Sequence, residues 1–323
     1  MVLDKVDLVT QFWKMNNLKV AVLMVTYNHE KYISQSIENI ITQITNFKFK
    51  LFIGEDFSTD STRNICISFQ NKYPHLIELI QNDSNLGAQI NTVNLFSKIF
   101  DSNPQYIAIC DGDDYWTDPN KLQYQVDYLD ANSDCSFVYN DVDVLNEYNK
   151  EIPWKIYDNF LFKVTTINVI HSHFIPTLSL VFRNFGKNNF PDWYLKIHNG
   201  DLALTLILST FGYGHFINKK MGVYRFTGKG ISMENSKNFY NFIENKLFLY
   251  YNFNIYSKRK YHSEIQNKIY NLILYYLNKS KDKKPTLNKN VILLLKYLEN
   301  KKMIFSILKS LLLTNVRNLR NTF

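Results

Sequence analysis

Cysteine is scarce and scattered: Cys66, Cys110 and Cys135 form no C-x-x-C pair. A disulfide framework or a zinc ribbon is therefore not expected, and a reducing compartment fits best. No stretch reaches the ~18 uninterrupted apolar residues of a membrane span. The nearest, Met303–Leu313, is broken by Ser306, Lys309 and Ser310. From Met1 to Lys19 there is no charged-then-apolar signal pattern. Neither G-x-x-x-x-G-K nor G-x-G-x-x-G occurs, so a phosphate would find neither of the familiar glycine cradles. No internal repeat of fixed period is visible. These absences predict a cytoplasmic protein, either free or resting peripherally on the inner face of the cytoplasmic membrane.

What is present is a chain of 323 residues, 46% apolar and 20% charged, long enough for a sizeable core. Its net charge of +8 hides an asymmetry. Residues 235–323 carry 17 Lys and Arg against 4 Asp and Glu, whereas residues 1–234 carry 20 against 25. An acidic domain over 1–234 and a basic helical extension over 235–323 are the expected units.

The first 145 residues alternate in kind. Strands are predicted at Lys19–Thr26, Phe49–Ile53, Leu76–Gln81, Gln105–Cys110 and Ser136–Val144, where apolar runs are short and β-branched. Between them, helical spacing marks Lys31–Ile44, Ser61–Lys72, Ala88–Phe100 and Pro119–Asn132. This βαβα rhythm predicts an α/β fold, a mostly parallel sheet flanked by helices, with ligands beyond the carboxyl ends of the strands. Later segments read as a strand-like run at Leu178–Phe182, a helix at Asp201–Phe211 and a strand at Gly222–Phe226. Helices are predicted over Phe239–Tyr256, Tyr261–Asn278 and Asn290–Leu313.

The chemistry-bearing residues follow strands. Thr26-Tyr27-Asn28 follows the first, Glu55-Asp56 the second and Asp111-Gly112-Asp113-Asp114 the fourth. Like charges this close are costly unless a cation neutralises them. The glycine lets backbone approach a ligand. Magnesium or manganese, with one or two carboxylates and diphosphate oxygens, suits such a set. The competing reading is a solvated turn, with Asp118 capping the helix that Pro119 opens.

Taken together, "VTYNHEKYISQSI", "GEDFSTDST", "NDSNLGAQIN", "AICDGDDYW", "IPTLSLVFRN", "GDLALTLI" and "GVYRFTGKGIS" run in order over residues 20–232. In these motifs the chain resembles the family 2 glycosyltransferases of GT-A fold. The resemblance implies an inverting, metal-dependent transfer of a hexosyl or N-acetylhexosaminyl group from a nucleoside-diphosphate sugar to an acceptor hydroxyl in polysaccharide or glycan synthesis. The donor would be a UDP-sugar and the acceptor a glycan or a lipid-linked molecule. Thr26, Tyr27 and Glu30 would line the nucleobase and ribose pocket, and Asp56 would accept from the base. Asn85, Gly87 and Asn91 would border the ribose. Asp111 and Gly112 would lie near ribose and metal, Asp113 and Asp111 would hold Mn2+ or Mg2+, and Asp201 would be the catalytic base. Arg225 and the loop Gly228–Ser232, ending in Ser232, would fold over the diphosphate. Two positions depart from the family pattern. Thr227 stands where the family often has histidine, and Asn85-Leu86-Gly87 replaces Asn-Arg-Gly. A metal or phosphate contact at the first and an arginine contact at the second are thereby in doubt.

Weaker candidates are His171 and His173 as metal ligands, and Trp116 and Trp193 as sugar platforms or core residues. A nucleotidyltransferase on a similar fold and a non-catalytic nucleotide- or nucleic-acid-binding protein are the rival readings. The former lacks its Gly-rich basic loop after the first strand. A nucleic-acid partner is disfavoured because the aromatic residues of 239–276 recur at helical spacing like a core. In the basic tail, Met303, Ile304, Ile307, Leu308, Leu311 and Leu312 form an apolar stripe. That stripe would face an anionic membrane, the catalytic domain or a second subunit of a homo-oligomer.

Overall fold

In a computed structural model of the chain, residues 18–147, 161–171, 175–227, 238–280 and 284–320 are described. Alternation along the first strand, β1 (Val20–Thr26), shows how the layers arise. Val20, Val22 and Met24 enter one core with Ile33, Ile37 and Ile40, which share a face of helix α1 (Ile33–Ile41). Ala21 and Leu23 enter the opposite core with Leu95, Phe96 and Ile99 of α3 (Ala88–Asp101). A strand buried on both faces must read as a continuous apolar run, and this one does.

The remaining elements of this half are β2 (Phe49–Glu55), α2 (Thr62–Lys72), β3 (Ile77–Gln81) and β4 (Tyr106–Ile109). β3, β2, β1 and β4 lie side by side and parallel. Next in the chain come β5 (Tyr115–Trp116), α4 (Lys121–Ala131), β6 (Cys135–Asn146), β7 (Lys163–Val164), α5 (Thr166–Ile170), β8 (Val181–Arg183), α6 (Gly200–Leu208) and β9 (Tyr213–Phe226). The full order is β3-β2-β1-β4-β8-β6-β9-β5, with β7 also on β9. The fifth expected strand, β6, does not follow β4 in space. β8 inserts between them, antiparallel to both. The sheet is thus mixed, although its long pairings, β1 with β2 and β6 with β9, are parallel. β9 begins nine residues before the expected Gly222. Its middle, Asn218-Lys219-Lys220, is polar and meets register shifts around Asp141, which hides the strand from an alternation test.

Four helices close the chain: α7 (Phe239–Tyr256), α8 (His262–Lys279), α9 (Lys284–Leu294) and α10 (Lys301–Arg320). Their buried Ile243, Leu247, Tyr250 and Phe253 share one core with Leu204 and Ile207 of α6. The Tyr250 hydroxyl donates to the Ile170 carbonyl at 3.3 Å, and that of Tyr256 to Asn189 at 3.0 Å. Within the tail stripe, Ile307 and Leu311 are buried against the protein, with Met303 and Ile304 partly so, and the side chain of Leu312 lies outside the described residues. Leu308 is instead exposed. Among the described residues, no helix is long and apolar enough to cross a membrane.

Candidate active site

β1, β2 and β4 run parallel, so their carboxyl ends deliver Thr26, Glu55 and Cys110-Asp111 to one edge of the sheet. The Gly112 N–H donates to the Val25 carbonyl at 3.0 Å, pinning the acidic turn to the end of β1. A Cβ on Gly112 would lie 2.6 Å from Thr26 Oγ1 and 2.9 Å from His29 Nδ1. Glycine is required here for close approach, and the approach brings His29 in. His29 Nδ1 is 3.2 Å from Thr26 Oγ1, and its Nε2 is 3.9 Å from Asp113 Oδ2. His29 was not singled out from the sequence, where nothing distinguishes it from an exposed loop histidine.

The Asp-Gly-Asp-Asp segment is a turn, closed by Asp114 N–H donating to the Asp111 carbonyl at 3.1 Å, and it is only partly solvated, with Gly112 and Asp114 buried and Asp111 and Asp113 half-buried. Asp114 is only 3% exposed, and its carboxylate accepts the Arg225 backbone N–H at 2.8 Å. Desolvation, followed by Asp113 and Asp111, holds its carboxyl well above the usual range. The Ser36 hydroxyl on α1 donates to the carbonyls of Gly112 and Asp114, at 2.9 and 2.5 Å. Asp118 accepts the Asn120 N–H at 2.8 Å in the turn before α4, whose N-cap is Asn120 rather than Asp118.

Arg225 corrects an expectation. Rather than lying open to a phosphate, it is 7% exposed, with its guanidinium between the rings of Tyr32 and Tyr115 at 4.8 and 4.5 Å. Nη1 donates to the Asp113 carbonyl at 2.8 Å, and Nη2 donates to Gln35 Oε1. Nε lies 3.6 Å from Glu147 Oε1, and Glu147 also accepts from the Tyr32 hydroxyl at 2.7 Å. Its planar fork braces the acidic turn from behind. The expected covering loop, Gly228–Ser232, lies outside the described residues, and Ser232 with it.

The β2 end is equally structured. Glu55 is buried and paired with Arg63, whose Nη2 donates to the Asn82 carbonyl at 2.6 Å. Asp56 accepts from the N–H groups of Leu86 and Gly87 and from the Asn82 amide, each at 2.9 Å. A carboxylate offers about four acceptor positions, so Asp56 has one left after bracketing this loop. Asn85 Oδ1 also accepts from the Gly87 N–H at 3.0 Å, and Gly87 has φ +82°, a conformation that favours glycine. Asn91 is buried, donating to the Gly54 carbonyl at 2.8 Å and accepting from Asn82 at 3.1 Å. It is a pin between α3 and β2 rather than an open ribose contact. Tyr27 is exposed at the cleft. Glu30 is exposed too, and accepts the Ser61 N–H at 3.1 Å, which ties the loop after β1 to the start of α2.

Asp201 stands in the first turn of α6. Gln89 Nε2, at the start of α3, donates to the Tyr194 carbonyl at 2.7 Å, and the Tyr194 hydroxyl donates to the Gly200 carbonyl at 3.0 Å. This chain of contacts links the Asn85–Gly87 loop to Asp201. Desolvation, Asp113 and Asp201 push Asp111 up to about 7. Burial raises Asp201 as well, opposed by backbone N–H donors and by Lys246 of α7. Lys246 is itself lowered by burial and raised by Asp201. The basic extension thus brings a cation within electrostatic reach of Asp201, which no motif signals.

No group of three or more His, Cys, Asp or Glu is arranged to hold a metal among the described residues. Magnesium and manganese do not need such a cage, since they usually keep waters and take one or two carboxylates plus phosphate oxygens. Asp111 and Asp113 fit that role: Asp111 is crowded by two other carboxylates, and the Asp113 carboxylate has the ring nitrogen of His29 at 3.9 Å. Of the other candidates, Trp116 is buried with its Nε1 donating to the Leu178 carbonyl at 2.8 Å, so it is core. Trp193 packs edge-on to Tyr256 at 6.3 Å. His171 is exposed, and His173 lies outside the described residues. All three cysteines are free and buried.

The profile of glycosyl transferase family 2 matches residues 21–188, more than half of the chain. The chain belongs to glycosyl transferase family 2. An uncharacterized protein of Mycobacterium tuberculosis, Rv1520, is 30% identical over 228 residues, covering 66% of this chain and 60% of its own length. The dTDP-rhamnosyl transferase RfbG of Shigella flexneri is 35% identical over 111 residues, 34% of this chain and 38% of RfbG. Among solved structures, S. aureus TarS matches with TM-score 0.63 at 15% identity, over 88% of this chain and 50% of TarS. Its 1–349 fragment in complex with UDP matches with TM-score 0.54 at 18% identity, over 72% of this chain and 64% of the fragment. The GT-A fold is thereby shown. The chain spans less than two thirds of the length of the relatives it matches first.

Proposed function

We propose that the protein transfers a hexosyl or N-acetylhexosaminyl group from a nucleoside-diphosphate sugar, with UDP as the nucleotide, to a hydroxyl of a glycan or lipid-linked acceptor. One observation carries this reading. Asp111-Asp113 at the end of β4 and Asp201 on α6, distant in sequence, are close enough for Asp201 to raise Asp111. The Gln89–Tyr194–Gly200 contacts tie the start of α6 to the start of α3 at this edge of the sheet, which supports a metal-and-diphosphate side and a base side acting on one substrate. A fold neighbour, the S. aureus TarS 1–349 fragment, is known in complex with UDP, which supports a nucleotide donor.

In the proposed reaction the acceptor hydroxyl attacks the anomeric carbon from the face opposite the leaving group. The new C–O bond forms as the bond to the diphosphate oxygen breaks, and that oxygen leaves with the electron pair. Asp201 takes the hydroxyl proton, a contribution of typically 10²–10⁴-fold. Asp111 and Asp113 would hold Mn2+ or Mg2+, which supplies Lewis-acid stabilisation of the departing diphosphate when bound. Asp56 keeps the Leu86–Gly87 backbone in place and uses its remaining lone pair on a base N–H. Arg225 holds the acidic turn in register.

The test is thermal melting with UDP, GDP and dTDP, each with and without Mn2+, for the wild type and Asp113→Asn. A ligand at about 100 times its Kd adds about 2.7 kcal/mol, a shift of several degrees. A metal-dependent shift with UDP that disappears in Asp113→Asn is expected. A shift indifferent to Mn2+ and to the substitution would refute the metal assignment, and a shift with GDP or dTDP alone would refute UDP.

A further inference from the structure

Over residues 301–311, the last helix, α10, turns one face into the core and leaves another outward. Ile307 and Leu311 are buried in the core, yet Phe305 is 70% exposed and Leu308 37% exposed on the other side. Lys301, Phe305 and Leu308 recur at i, i+4 and i+7, so they lie along one outward stripe. Lys302 and Lys309 recur seven apart beside it, and all three lysines are exposed. No Asp or Glu occurs anywhere in residues 301–320.

Two of these lysines stand where a helix disfavours them. Lys301 and Lys302 occupy the first turn, at the positive end of the helix dipole. Asn300 Oδ1 caps that turn, accepting from the N–H groups of Lys302 and Met303 at 3.0 and 3.4 Å. Cations on a positive helix end become favourable only against an anionic surface. Exposed phenylalanine and leucine among them call for an apolar phase beside those anions. A membrane of anionic lipid offers both in one plane.

We propose that this outward face of α10 docks the protein on an anionic lipid surface, with Phe305 and Leu308 in the interface and Lys301, Lys302 and Lys309 on headgroup phosphates. A second copy fits less well, because a self-complementary contact through this stripe would set lysines against lysines. Nucleic acid also fits less well, since a single aromatic ring makes no stacking platform. The acidic balance of residues 1–234 would keep the rest of the molecule away from the same surface. The proposal is independent of the transfer reaction.

The test is co-sedimentation of the full chain with phosphatidylcholine vesicles, with and without phosphatidylglycerol. Binding is expected only with phosphatidylglycerol and should weaken as salt rises. Each lysine near such a surface is worth about fivefold in partitioning, so Lys301→Glu, Lys302→Glu and Lys309→Glu together should cost about 100-fold or more. Phe305→Ser with Leu308→Ser should release the protein at unchanged charge. Both variants should still unfold cooperatively, the Lys→Glu set melting no lower than the wild type because acidic residues suit a helix N-terminus, which separates lost docking from lost folding. Absence of binding to anionic vesicles would overturn the proposal, as would binding that survives both sets of substitutions. A wild-type dimer by light scattering that Phe305→Ser and Leu308→Ser make monomeric would assign the face to a second copy instead.

Discussion

Lys121 is wholly buried on α4, behind the acidic turn. Its ammonium lies 4.2 Å from the centroid of the Trp116 ring and donates to Gln125 Oε1 at 2.6 Å, with no carboxylate in that contact. Burial pulls the amine from its ordinary 10.5 down to about 7. Between those two pH values the unfolded chain holds a proton that the folded chain has given up, so stability rises with pH across that window. Below about 7 both states are protonated and the full cost of the buried charge is present. From pH 7 to pH 9, the cost falls by about 2 kcal/mol at 1.36 kcal/mol per tenfold change. Lys121→Met keeps the volume and removes the titration. Its loss of the Gln125 partner and of the ring contact sets a constant offset that does not alter the slope. Urea unfolding of the wild type and Lys121→Met at both pH values should show the wild type gaining about 2 kcal/mol on the variant at the higher pH. A difference that stays constant, or moves the other way, would refute the argument that Lys121 is neutralised by burial.

Three further outcomes follow from the site. Gly112→Ala forces a methyl group to 2.6 Å from Thr26 Oγ1, so melting should fall by the equivalent of about 1–3 kcal/mol and nucleotide-induced stabilisation should vanish; unchanged melting and binding would show that the turn has slack. Asp56→Asn exchanges an acceptor for a donor opposite the Leu86 and Gly87 N–H groups. It should cost about 1–3 kcal/mol in urea unfolding and weaken nucleotide binding, whereas wild-type values for both would mean the loop holds itself. Lys246→Met removes a cation that favours the ionised form of Asp201. For the proposed transfer, the acid limb of the rate profile for nucleotide release should therefore move to higher pH, and Lys246→Arg should restore it. A profile unmoved in Lys246→Met would remove Lys246 from the site.

The sequence alone determined the alternation of strands and helices, because a strand buried on two faces and a helix buried on one leave different periods in the chain. It also determined that Thr26, Asp56 and Asp111–Asp114 share an edge, since consecutive parallel strands put their carboxyl ends together. The tertiary structure alone decided where β8 enters, because three residues carry no information about their neighbours. It decided that Arg225 braces the acidic turn, that Asn91 pins β2, and that Trp116 is core, since burial depends on what packs around a side chain. His29 and Lys246 became site residues for the same reason. Each is ordinary in its own segment, and its significance comes from carboxylates that other strands and helices bring beside it. The tail stripe shows the limit most plainly: periodicity marked it as apolar, but only packing showed which residues face the core and which face outward.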